Sequence, residues 1–431
     1  MASTKNSEAS ILELVTSGYG AYQRFANDGQ YIPGFDGLKK VQRRYLMAVK
    51  SQAKSKFQKT ALILGWAMGN LHPHAVSEET MNTLVRWGLV EGQGNFGMTS
   101  TYENIVGAAM RYTEIKYNSD LDNLLFKFEK YCPMDEGELG TPEPKFLITV
   151  IPIALLRGCI GIGVGGVCCK IPAFTYTSLL NAYIKDDPTY LRSAYGLEID
   201  FEKSQLSKLW TEGSGKLVLK FKVERLEGGG VVLSGDATPC KPNLKQLLEW
   251  ESEGWITIND ESTQKMRIVF SRNKGIRKIS DEQIYEAVSQ AAVVDNQAAN
   301  YLIMFSHNGS ATRMGIKGWL DLTIDLYKTT HKKWQELEIT KLEHQKKILK
   351  LIPKIVTMLR KEMTSEEIAS EIGETVSVVK QIEAKPLKFL RGIDVEALIS
   401  KLDEKIKEIK ASQVNDLIKS GAIFDKLLGK Y

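Results

Sequence analysis

Towards the end of the chain, Val395, Leu398, Leu402, Ile406 and Ile409 follow one another at spacings of three and four residues, the interval that returns a side chain to one face of an α-helix. An earlier stretch, Leu342, Leu349, Ile352, Val356 and Leu359, has a similar spacing, interrupted by Gln345 and carrying Pro353, which predicts a kink. Two such arms, separated by the short helical patterns of residues 364–392, predict an antiparallel coiled coil closed by a small helical knob. From Trp334 onward the chain reads as charged and helical.

A long coiled coil cannot hold a hydrophobic core large enough for all 431 residues, 43% of them hydrophobic. Two to four structural units are therefore expected. Upstream, Leu217–Val223 and Met266–Phe270 alternate as strands do, and apolar, glycine-rich sequence between about 145 and 170 predicts further, buried strands. The expected class is α+β. The polar residues 1–10 read as a tail before an amphipathic helix around Ile11 to Phe25.

Several classes are disfavoured. No apolar run reaches the roughly 20 residues that span a bilayer, and MASTKNSEASILELV lacks a signal-peptide core. Five cysteines without CxxC spacing argue against a disulfide framework or a zinc ribbon. The expected location is therefore cytoplasmic. Gly161 to Gly166 satisfies GxGxxG, but it opens no βαβ unit and Pro172 stands where a helix would run. His72 and His74 form an HxH pair without a third metal ligand nearby in sequence, so no metal site is assigned.

The net charge of +5 is mild, but it is not spread evenly. Gly37 to Thr60 holds Lys39, Lys40, Arg43, Arg44, Lys50, Lys54, Lys56 and Lys59 and no acidic residue. Val41, Tyr45, Ala48 and Val49 lie there at helical spacing, so one face can pack while the cations point elsewhere. A charge run is commonly a solvated helix face. One this long without acids suits an anionic, phosphate-bearing partner.

Four motifs stand in order: Ile32-Pro33-Gly34-Phe35-Asp36-Gly37-Leu38-Lys39-Lys40-Val41-Gln42-Arg43-Arg44; Leu71-His72-Pro73-His74; Glu91-Gly92-Gln93-Gly94-Asn95-Phe96-Gly97; and Ala108-Ala109-Met110-Arg111-Tyr112-Thr113-Glu114. The set resembles the breakage-reunion subunits of type IIA DNA topoisomerases, the family of gyrase A and topoisomerase IV A. The short layout is most similar to T-even phage medium subunits. A weaker resemblance continues to near residue 418.

The resemblance implies a function and a division of the chain. Tyr112 would attack a DNA phosphodiester and keep the 5′ phosphate. A phenolate leaves more readily than an alkoxide, so the cut is easily resealed. Arg111 would hold the scissile phosphate and spread its developing charge. Lys39, Arg43, Arg44, His72, His74 and Ser77 would contact DNA, and Ile171, beside Pro172, would wedge between base pairs. Packed or capping histidines and a core isoleucine are the plainer readings of His72, His74 and Ile171.

The implied division is an N-terminal arm (1–29), a winged-helix domain with the catalytic tyrosine (30–118), a tower domain (119–330), and a coiled coil with a dimerising gate (331–431). Two copies would cut opposite strands. Neither an ATPase segment nor the acidic magnesium-binding set of the family is found, so ATP and Mg2+ are expected on a separate ATPase/Toprim subunit. The sequence departs from the family pattern at Gln30, where an arginine is usual, and at Ala75-Val76. A non-catalytic architectural DNA-binding homologue is the rival reading.

Overall fold

The computed structural model describes Ile11, Ser17, Gly18 and residues 32–162, 168–236, 241–263, 265–296, 303–305, 311–384, 394–412, 421 and 425–426. The expected helix around Ile11 to Phe25, Gln30 and most of the GxGxxG stretch lie outside them. The chain divides into two compact units, Met1–Tyr327 with Gly421–Tyr431, and Lys328–Ser420.

The first unit opens on a turn that only glycine can make. Gly37 has φ +78°, and a Cβ there would lie 2.4 Å from the Ala154 nitrogen, so the turn packs backbone to backbone against the start of the short helix Ile153–Arg157. Helix α1 (Lys40–Gln52) follows, burying Tyr45, Leu46, Ala48 and Val49 on one side. After β1 (Gln58–Lys59) come α2 (Thr60–Asn70) and α3 (Glu78–Arg86). Ser77 caps α3 by accepting from the Thr80 amide at 3.2 Å. Glu78 and Glu79 in its first turn and Arg86 in its last complement the helix dipole.

Strands β2 (Val90–Gln93) and β3 (Glu114–Tyr117) complete a three-stranded antiparallel sheet of order β1-β3-β2. Its register sets Gln58 opposite Ile115 and Val90 opposite Tyr117. The loop joining β2 to the central strand β3, which includes Tyr112, leaves the sheet at the end where Gln93 faces Glu114.

Beyond it, β4 (Met134–Glu136) and β5 (Pro142–Pro144) form a small hairpin, and β6 (Cys159–Ile162) pairs with β7 (Cys168–Ile171). Helix α4 (Tyr176–Lys185) leads to β8 (Glu198–Ile199), β9 (Leu217–Lys220) and β10 (Lys222–Arg225). The predicted strand 217–223 is thus split. Phe221 at the break is buried, and its amide turns to the Ala292 carbonyl. β10, β11 (Val231–Asp236), β12 (Ile256–Asp260) and β13 (Lys265–Arg272) make a sheet of order β10-β11-β13-β12, flanked by α5 (Lys245–Ser252) and α6 (Asp281–Ala291). β14 (Val293–Asn296) pairs with β9.

Helix α7 runs from Ile316 to Leu359 with Pro353 inside it. It starts well before Trp334, because Ile316, Trp319, Leu320, Thr323, Ile324 and Tyr327 already repeat at helical spacing and are buried. In the second unit, α7 and α10 (Val395–Ala411) bury Leu342 against Ile406 and Ile409. Gln335 donates to the Ile409 and Ser412 carbonyls, both at 2.8 Å, and Lys346 pairs with Asp403. Position 335 therefore meets 409 while 346 meets 403, so the two helices run antiparallel. α8 (Ser365–Ile372) and α9 (Val376–Glu383) pack on Ile352, Ile355 and Met358 of α7. The second half of the predicted first arm, from Leu349 to Leu359, serves this knob rather than the seam with α10.

Candidate nucleic-acid site

The turn motif builds a buried electrostatic hub. Asp36 is fully buried, and its carboxylate accepts from the amides of Leu38 (3.0 Å) and Leu147 (2.8 Å) and from Arg43 through Nε (2.8 Å) and Nη2 (2.9 Å). Arg43 is 5% exposed. In this conformation it anchors the turn to α1 and does not present its guanidinium to solvent, contrary to the expected phosphate contact. A paired, bidentate arginine is how a buried carboxylate is tolerated.

One turn position on, Arg44 leads to a second cluster. Its Nε and Nη2 donate to Glu143 at 2.7 and 2.8 Å, and Nη1 donates to Glu138 at 2.9 Å and meets His72 Nδ1 at 3.0 Å. His74 Nε2 reaches the other Glu138 oxygen at 2.6 Å, and Lys40 stands 3.5 Å from Glu143. Burial first, then the charges of Arg44 and His74, pull the His72 imidazole down to about 4, against the opposing pull of Glu138 and Glu143. Burial works the other way on Glu138, but bonds to Arg44 and His74 hold its carboxyl below the usual range. Both glutamates come from the β4–β5 hairpin, which sequence reading did not connect to the site.

Tyr112 lies on the stretch leading into β3. Thr113 behind it is buried, with Oγ1 bonded to Thr60 Oγ1 at 2.8 Å and its carbonyl accepting from the Thr60 amide at 3.0 Å. The Ala61 amide donates to the Met110 carbonyl at 3.3 Å. The loop is thus clipped to the first turn of α2 on both sides of the tyrosine. Tyr112 itself is 63% exposed, and the Arg111 guanidinium carbon lies 4.5 Å from its ring centre. A phenol and a guanidinium are therefore presented together on a fixed backbone.

The structure does not join the two groups. His72 follows the last turn of α2, its amide bonded to the Ala67 carbonyl, whereas Tyr112 is held at the first. The eleven residues of α2 run about 16 Å at 1.5 Å per residue.

Of the remaining expected residues, Lys39 precedes α1 and donates from Nζ to the Ile160 carbonyl at 3.0 Å. Ser77 spends its hydroxyl on capping α3. Ile171 is 2% exposed, packed at the end of β7, so it is not a free wedge here. On the same hairpin, Ile160 is 50% exposed. The basic run is also less free than its sequence suggests. Five of its eight cations, Lys40, Arg43, Arg44, Lys50 and Lys59, have carboxylate partners, while Lys54 and Lys56 are exposed.

Lys39 and Ile160 also line a cleft of about 1050 Å3, together with the cations Arg86, Lys241 and Lys265 and the carboxylates Glu79 and Asp425. Among the described residues no group of three or more His, Cys, Asp or Glu is arranged to hold a metal ion, and no helix is long and apolar enough to cross a membrane.

Residues 32–427 match the family model described as the DNA gyrase/topoisomerase IV A subunit. The gyrase A protein of Thermotoga maritima is 26% identical over a 452-residue alignment that takes in 92% of this chain and 55% of the relative. That of Campylobacter jejuni is 24% identical, covering 99% of this chain and 54% of the relative. The topoisomerase 4 A protein of Haemophilus influenzae is 31% identical over 50% of this chain and 32% of its own length. The chain spans about half the length of these gyrase relatives. A match running from the Asp36 hub through the Tyr112 loop to the C-terminal helices covers both structural units, and the chain belongs to the family of DNA gyrase and topoisomerase IV A subunits.

Proposed function

We propose that this chain is the DNA-cleaving and rejoining subunit of an ATP-dependent type IIA topoisomerase. The observation that carries the reading is Tyr112, exposed, clipped to α2 on both sides and stacked by Arg111, inside a family match that spans both units. In the forward step the Tyr112 oxygen bonds to a backbone phosphorus. The bond from phosphorus to the 3′ oxygen breaks, and that oxygen leaves with a proton as a free 3′ hydroxyl. Resealing is the reverse. Arg111 neutralises charge on the phosphate oxygens as it develops.

The separation of Tyr112 from the histidines along α2 supports an arrangement of two copies, in which the His72/His74 end of one chain serves a phosphate attacked by the tyrosine of the other. We read α1 to α3 with the β1-β3-β2 sheet as a winged-helix domain (30–118), residues 119–330 as a tower, and 331–431 as coiled coil and dimer gate. The cation-lined cleft and Lys54 and Lys56 would track the DNA backbone. Among the described residues no group of His, Cys, Asp or Glu suits a metal ion; from the family resemblance, Mg2+ and ATP are assigned to a separate ATPase/Toprim subunit of the cytoplasmic complex.

The test is plasmid cleavage with Mg2+ and such a partner present, denatured in detergent. Protein linked to the 5′ ends in wild type but not in Tyr112→Phe supports the reading. Tight DNA binding with no adduct and no relaxation would instead assign an architectural DNA-binding role.

A further inference from the structure

Arg44 stands where a phosphate-binding arginine was expected, yet it is 1% exposed, and four of its hydrogen-bonding contacts are taken up by Glu143, Glu138 and His72. A guanidinium nitrogen can only donate. The His72 Nδ1 that meets Arg44 Nη1 at 3.0 Å is therefore an acceptor, and a neutral imidazole accepting there carries its proton on Nε2. Glu143 is itself fixed, since it is 4% exposed and lies between Pro142 and Pro144, which confine it to extended backbone.

We propose that Glu143 and Arg44 are positioning residues for the cleavage reaction: Glu143 holds the Arg44 guanidinium with two bonds, and Arg44 in turn occupies His72 Nδ1, leaving His72 Nε2–H to donate to a DNA phosphate oxygen. The catalytic part rests on the proposed function; the positioning part rests on the bonds alone. The charged groups facing His72 are Arg44 from α1, His74 from its own loop, and Glu138 and Glu143 from the hairpin. Their balance with burial keeps the ring neutral down to about 4, so the donor persists at ordinary pH.

The experiment uses the full chain with 15N-labelled imidazoles, His72 being assigned by its loss in His72→Gln. In wild type, His72 remains neutral with its proton on Nε2 from about pH 8 to about pH 5. In Arg44→Gln/Glu143→Gln, where a neutral amide pair replaces the ion pair, the ring titrates nearer its ordinary value of about 6.5 and the tautomers mix. With Mg2+ and the ATPase/Toprim partner present, adduct formation by that double variant falls by roughly 10- to 100-fold, the scale on which supporting residues act through a ligand they orient. Its acid limb moves up towards the new titration, while DNA affinity stays within about threefold, since Arg44 offers phosphate no open face.

A wild-type His72 that titrates in the ordinary range, or that carries its proton on Nδ1, overturns the proposal without any need of the variant. A double variant that titrates as predicted yet cleaves like wild type overturns its catalytic part. If wild type forms no adduct, the proposed function and the catalytic part fall together, and the tautomer measurement decides the positioning by itself.

Discussion

Asp36 and Arg43 show what a single buried pair can hold. The carboxylate ties the turn, α1 and the segment at Leu147 into one point. Asp36→Asn leaves the Arg43 charge without its partner, and a loss of about 3–5 kcal/mol is expected in urea denaturation of the first unit. Glu138 gives a pH prediction. Its pKa is held below its unfolded value, so its contribution is present above the unfolded value of about 4.3 and is lost as pH falls through the lower, folded one. Protection of the Gly137 and Gly140 amides in the hairpin tip, taken relative to the intrinsic exchange rate at each pH, should therefore fall at the acid end in wild type, and Glu138→Gln should show that lower protection already at neutral pH. Tyr112, Arg111, His72 and His74 could be singled out as candidates because they stand in short ordered strings. Glu143 was not, because its bond to Arg44 spans 99 residues and leaves no local trace. Nor was the burial of Arg43 and Arg44, since a charge run reads the same whether it faces water or buried carboxylates, Asp36 in the turn for Arg43 and those of a distant hairpin for Arg44.

Helices and strands were read best where one period ran without competition. The antiparallel seam of α7 with α10 followed from the spacing of Leu402, Ile406 and Ile409, but the same spacing continued into residues whose partners are α8 and α9. Periodicity says that a face is buried and not what buries it. Ile355, outside the predicted set, is fully buried in the knob, so Ile355→Ala should cost about 2–5 kcal/mol there. Hydrogen exchange should show the loss confined to α8, α9 and the adjoining turns of α7, with β1 to β3 unchanged. Equal loss in the sheet would mean that the knob is not an independent cooperative element.

For the whole molecule, the count of free cations matters more than net charge. With five of the eight basic residues between Gly37 and Thr60 already paired, binding should have a modest salt dependence. Lys54→Gln and Lys56→Gln should each lower the slope of log K against log salt by about 1. An unchanged slope would place DNA on another face. This chain alone should bind duplex DNA and cleave it poorly, because the metal is assigned to a partner.

The most direct measurement is the identity of the residue attached to DNA. Complexes of the chain with the proposed ATPase/Toprim partner, Mg2+ and plasmid would be trapped in detergent, digested with nuclease and protease, and read by mass spectrometry. One modified peptide is expected, with a 5′-nucleotide phosphate on the Tyr112 oxygen. Tyr112→Phe should abolish it while changing folding stability by no more than about 0.5 kcal/mol. A nucleotide on any other residue, or an adduct that survives in Tyr112→Phe, would contradict it.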